Sequence, residues 1–104
     1  MKTSFVVNNN SYEADIRRVE KPEGEKFEIC EASVRIPDGL EVKGTFKLTD
    51  TAIALAEERA SQEGGSPEGW LVRGCARSLA AELVIRQLKK DFSFVIDHRW
   101  ISHP

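Results

Sequence analysis

The sequence predicts an α+β domain: an antiparallel sheet of four to five strands, arranged as a meander, with two helices packed on one face, in the order ββββααβ. Three observations carry that expectation. Apolar and polar residues alternate through most of the first 48 positions and again at 92–97. From about residue 50 to residue 90 the apolar period changes from 2 to 3.6. Turn-forming clusters, among them Pro37-Asp38-Gly39 and Gly64-Gly65, separate the runs.

Residues 4–8 and 11–20 read as two strands around Asn9-Asn10, a pair that tolerates positive φ and suits a hairpin turn. Tyr12, Ala14 and Ile16 alternate with polar neighbours in the second of them. A turn is expected at Lys21-Pro22-Glu23-Gly24-Glu25, followed by a third strand over 26–36. Its parity changes, with Phe27 and Ile29 on one face and Cys30, Ala32, Val34 and Ile36 on the other. That switch predicts a bulge near Ile29-Cys30, or cover on both faces there. Pro37-Asp38-Gly39 is the strongest turn signal. After it Leu40, Val42, Gly44, Phe46 and Leu48 are expected inward, with Glu41, Lys43, Thr45 and Lys47 in solvent.

Thr49 or Asp50 can cap a first helix of about 13 residues that ends at Gly64-Gly65. Its apolar side, Ala52, Ile53, Ala56 and Ala60, is mostly small. Ser66, Pro67 and Glu68 then open a second helix, with a hydroxyl cap, a proline at the first position and a carboxylate near the positive end of the dipole. This helix is expected over residues 67–90, ending at the cations Lys89-Lys90. Phe92, Phe94 and Ile96 mark a fifth strand, and Asp97–Pro104 a capping or disordered tail.

The second helix is apolar on two sides. Val72, Cys75, Ala76, Leu79 and Leu83 share one face; Gly74, Ser78, Ala81, Ile85 and Leu88 share roughly the other. Leu79 and Leu83 suit the sheet. Gly74, Ser78 and Ala81 suit close approach by Ala56 and Ala60, with Glu57 and Glu58 placed to meet Arg73 and Arg77. At 1.5 Å per residue the first helix is about 20 Å long and the second about 36 Å. Ile85 and Leu88 therefore fall beyond the first helix, and either the segment after residue 91 or a partner should cover them.

A chain of 104 residues, 40% hydrophobic and 31% charged, is expected to form a single globular domain over residues 1–104. No apolar run approaches the 18–20 residues or so of a bilayer span, so no membrane association is expected. The opening residues carry one basic side chain and an apolar stretch of three, which predicts no secretory leader. With Cys30 and Cys75 the only cysteines, reduced thiols and a cytoplasmic location are expected. Net charge is −2, unevenly spread: residues 1–69 hold 9 basic against 14 acidic side chains, and residues 70–104 hold 6 against 3. Pairing between an acidic and a basic half explains that asymmetry; a basic binding patch is the alternative.

Little points to catalysis. Cys75 with Asp97, His98 and His103 is the one set resembling a thiol nucleophile with a base, yet Cys75 sits one turn before Leu79 and reads as core. Cys30 and Cys75 have no redox-type spacing. Asp97, His98 and His103 fit no usual zinc signature. Gly64-Gly65-Ser66-Pro67 lacks the lysine of a phosphate-binding loop and reads as a turn between helices. Trp70 reads as an indole lying over Gly74. No catalytic residue, cofactor or metal is expected.

The sequence thus predicts a small non-enzymatic protein-interaction module, self-associating or partner-binding through the helix at 67–90, with Ile85, Leu88 and Lys89 as contacts. A second reading is nucleic-acid binding by the basic carboxyl-terminal half, through Arg73, Arg77, Arg99 and Trp100. A third is a small ligand-binding protein or enzyme using a groove between sheet and helices.

Overall fold

The structure, a computed structural model, describes all residues except Glu20, Pro22, Glu25, His103 and Pro104. The expected turn at 21–25 thus lies partly, and His103 wholly, outside the described residues. The elements are β1 (Lys2–Val7), β2 (Asn10–Val19), β3 (Glu28–Arg35), β4 (Glu41–Leu48), α1 (Asp50–Glu63), α2 (Pro67–Ile85), β5 (Phe92–Ile96) and α3 (His98–Ile101). They form an α+β fold around a five-stranded sheet in the order β1-β2-β3-β4-β5.

The first four strands are the expected antiparallel meander. The hairpin turn sits one residue earlier than expected, at Asn8 and Asn9, which have φ of 51° and 66°. Both turn residues lie in the left-handed region, as a two-residue turn matched to strand twist requires. The bulge at Ile29-Cys30 does not form. Pairing on both sides of β3 is continuous, from Val19↔Ile29 and Ile29↔Lys47 onward. Cys30, Ala32 and Val34 face the core, and Ile29 stays half-buried on the other side. Leu40 belongs to the turn before β4 and is 64% exposed, because pairing with β3 begins only at Glu41.

The fifth strand forms where expected, but it pairs parallel to β4, in register from Gly44↔Phe92 to Leu48↔Ile96. A β4–α1–α2–β5 connection carries the chain across the sheet, and such crossovers return a strand in parallel. Thr49 fastens this junction. Its Oγ1 accepts from Ala52 N–H at 3.2 Å, capping α1, while its own N–H donates to the Ile96 carbonyl at 3.1 Å. Asp91, with φ 61°, turns the chain into β5 and donates its N–H to the Lys43 carbonyl at 2.8 Å.

Inward-facing strand residues and the helices share one core cluster. It contains Ala14, Ile16, Cys30, Ala32, Val34, Phe46, Leu48, Phe92 and Ile96 from the sheet, with Ala52, Ala56, Leu71, Val72, Cys75, Leu79 and Ile101 from the helices. Burying one such Leu, Ile or Phe is worth roughly 1.5–3 kcal/mol. Gly44 is required by this packing. The Phe92 ring lies over its Cα, so an added Cβ would stand 2.4 Å from ring carbons. Phe92 in turn meets Phe46 edge-on at 5.6 Å and stacks on Phe94 at 5.3 Å.

The long helix is shorter than the sequence suggests. It ends at Ile85, and Arg86 is already extended, with φ −156°. Leu88 is therefore not on the helix at all; it follows in a loop and packs back, half-buried, against the core. Leu83, expected on the sheet, stays half-buried. A third helix, α3, also departs from the two-helix expectation and replaces the tail. Asp97 caps it by accepting from Arg99 N–H at 2.9 Å. Ile101 of α3 packs on Gly74, where an added Cβ would meet its Cδ1 at 2.6 Å. Gly74 was expected against α1; it makes room for α3 instead. Ala81 is exposed, while Ser78 is buried as expected.

Candidate functional site

The sequence-named interaction residues divide. Ile85 is 77% exposed, and its neighbour Val84 is 63% exposed. Lys89 is exposed, whereas Leu88 is half-buried on the core. Only Ile85 and Lys89 of the three are therefore open to a partner, and Val84 joins them on the helix end.

The four residues named for nucleic acid contact do not make one stacking, cationic surface. Arg73, expected opposite Glu57 and Glu58, lies over the Trp70 ring at 4.5 Å instead, a cation–π arrangement. Glu58 accepts from Gln62, one turn on, at 3.3 Å. Arg77 Nη1 donates to the Trp100 carbonyl at 3.2 Å. Arg99 grips Asp97 at 2.8 and 3.0 Å, and those bonds hold the Asp97 carboxyl below its usual range. Trp100 packs half-buried against the core, so its ring is not a free platform. Trp70, expected over Gly74, donates its indole N–H to the Gly64 carbonyl at 3.0 Å. It thereby ties the first turn of α2 to the Gly64-Gly65 turn, whose φ values of 93° and 82° suit glycine.

Cys30 and Cys75, far apart in sequence, meet across the sheet–helix interface. Both are fully buried, and the two thiols stand close enough to shift each other's titration. The neighbouring Cys75 thiol lowers the Cys30 pKa, while the Cys30 sulfur together with burial raises that of Cys75 well above the ordinary thiol range. Full burial keeps either sulfur from acting as a nucleophile in the folded chain. The raised Cys75 value has a consequence for stability. Below pH 9 both states keep this proton; above it the unfolded chain loses the proton that the folded core retains. Stability from this thiol is thus present below about pH 9 and falls as pH rises further. Cys30, shifted the other way, offsets part of that fall. Urea midpoints measured from pH 7 to 10 should decline more steeply above pH 9 in the wild type than in Cys75→Ala. Equal slopes would mean that the thiol pair carries no such linkage.

Away from the row of Val19, Ile29 and Val95, the outer sheet face is polar and its charges alternate. Arg17 and Glu31 pair at 2.7 Å, and Arg35 stands opposite both Glu13 and Glu41. Two hollows of about 520 and 580 Å³ lie over these rows. Cations matched by anions across strands neutralise one another, so this face presents no one-signed field to a polyanion. Among the described residues no three His, Cys, Asp or Glu side chains cluster as metal ligands, and no helix is long and apolar enough to cross a membrane.

A larger groove, about 840 Å³, runs between β1 and α2. Met1 to Phe5 form one wall; Gly69, Val72, Arg73, Ala76, Arg77 and Ala80 form the other; Gly64, Gly65 and Ser66 close one end beside Trp70. The spacing of 69, 73, 76 and 80 puts these residues on one side of the helix. Ser66 Oγ caps α2 there by accepting from Gly69 N–H at 3.0 Å. Sequence reasoning missed this groove, because only the sheet order reveals that β1 is an edge strand. The signal available was the run of small residues Gly69, Ala76 and Ala80 beside Arg73. No family model, curated protein or solved structure matches this chain.

Proposed function

We infer that the protein is a non-enzymatic protein-interaction module that docks its partner on the outer side of α2, where the helix borders β1. One observation carries this reading: α2 leaves an open groove against a sheet edge that, among the described residues, has no strand neighbour on that side. Large unfilled grooves beside an unpaired edge are where protein partners bind main chain and side chains together. The exposed Val84 continues the same helix stripe, four residues beyond Ala80. Ile85 and Lys89 then lie at the rim of the surface instead of its centre.

The test is capture from a cell extract by immobilised protein. A genuine partner should be retained by the wild type and by Ser33→Lys, on the outer sheet face. It should be lost by Arg73→Glu/Ala80→Glu, which leaves the core side of α2 intact. A partner lost with Ser33→Lys and kept by the α2 variant would place docking on the opposite face and overturn the reading.

A further inference from the structure

The groove has a backbone side as well as a side-chain side. In β1 and β2, joined by a two-residue turn, Ile16 N–H donates to the Met1 carbonyl at 2.9 Å. Bonded and non-bonded residues alternate in an antiparallel pair, so Met1, Thr3, Phe5 and Val7 turn their N–H and C=O groups to β2. Lys2, Ser4 and Val6 turn theirs outward, where β1 has no strand neighbour among the described residues. An extended chain satisfies such a row of groups.

The opposite wall leaves room for one. An added strand lies about 4.8 Å from its neighbour, and the facing side of α2 carries Gly69, Ala76 and Ala80 at the groove. The lengths are similar: five residues, 2–6, extend about 16 Å, and twelve residues, 69–80, of the helix about 18 Å. Charge selects among occupants. Arg73 stands on the groove wall of α2, while Glu63, the acid beside it, is paired with Arg59 at 2.8 Å. Pairing β1 with β1 of a second copy would set two cationic α2 faces against each other, which disfavours self-association here.

We propose that the groove takes an extended acidic segment of a partner protein, which joins β1 as a sixth strand and directs carboxylates toward Arg73. The proposal rests on reading this side of α2 as the docking surface. A phage-displayed library of random twelve-residue peptides, selected on the full chain, tests it. The enriched peptides should combine β-branched residues with Asp and Glu, and a synthetic copy should bind more weakly as salt is raised. Arg73→Glu should weaken that peptide at least tenfold. Ser4→Pro should do the same, because Ser4 N–H serves only the free edge, where proline is tolerated. Should Ser4→Pro fail to fold, N-methylation at alternate amides of the peptide removes the same bonds from the other side. Binding that needs Arg73 yet ignores both backbone changes overturns the strand mode and leaves the docking surface standing. Binding that ignores Arg73→Glu/Ala80→Glu overturns both. No enrichment, enrichment of basic peptides, or a stable dimer joined through β1 also overturns the acidic-strand proposal.

Discussion

Replacing Ile101 by alanine is expected to cost about 3 kcal/mol, within the range of about 2–5 for such truncations. The side chain is 1% exposed and fills the space above Gly74. A helix of four residues cannot hold itself together, so α3 depends on what anchors it. Ile101 supplies the apolar anchor. Arg59 Nη2 donates to the Ser102 carbonyl at 2.8 Å, and Arg77 Nη1 to that of Trp100 at 3.2 Å, satisfying carbonyls at the helix end. Losing Ile101 leaves a cavity between α2 and α3 that these polar contacts cannot fill. For a domain of this size that loss corresponds to a Tm lower by roughly 12–24 °C. Ile101→Val should cost only about 1 kcal/mol. A Tm within 3 °C of wild type for the alanine variant would mean that α3 is not part of the core.

Gly44→Ala is the second large effect. Helix and strand interiors normally gain about 0.5–1 kcal/mol when glycine becomes alanine, so a surface expectation is stabilisation. Here the new methyl would stand 2.4–2.5 Å from three atoms of the Phe92 ring. That ring is held on two sides by Phe46 and Phe94. Overpacking costs typically 1–3 kcal/mol, and the sign should therefore reverse to a net loss of about 2 kcal/mol. Phe92→Leu alone should also destabilise, but combined with Gly44→Ala the two losses should fall short of their sum by 1 kcal/mol or more. Simple additivity of urea-derived stabilities would show that the two residues do not clash.

Much of this architecture was legible in the chain. Period-2 alternation located all five strands, and Thr49, Ser66 and Pro67 marked both long helices, because caps and periodicity are local properties. Neighbour relations are not local. Phe92, Phe94 and Ile96 announce a half-buried strand but not which strand receives it, so the parallel pairing with β4 could not be read. The same limit hid the contact between Cys30 and Cys75, the second read as core and the first placed on one strand face, because they lie on separate elements. The end of α2 was misplaced for a different reason. Leu88 follows Ile85 by three residues and extends the helical pattern, yet it reaches the core from a loop after Arg86 becomes extended. With four residues, α3 is too short to show a period. The groove combines both difficulties: its helix wall is readable as small residues on one side of α2, and its strand wall becomes an edge only once the sheet order is known.

Backbone amide chemical-shift mapping of the complex with a selected acidic peptide tests the central claim most directly. The perturbed amides should gather at Lys2, Ser4 and Val6 of β1 and along residues 69–80 of α2. Shifts gathered at Val84, Ile85 and Lys89, or on the outer sheet face around Arg17, Glu31 and Ser33, would contradict it.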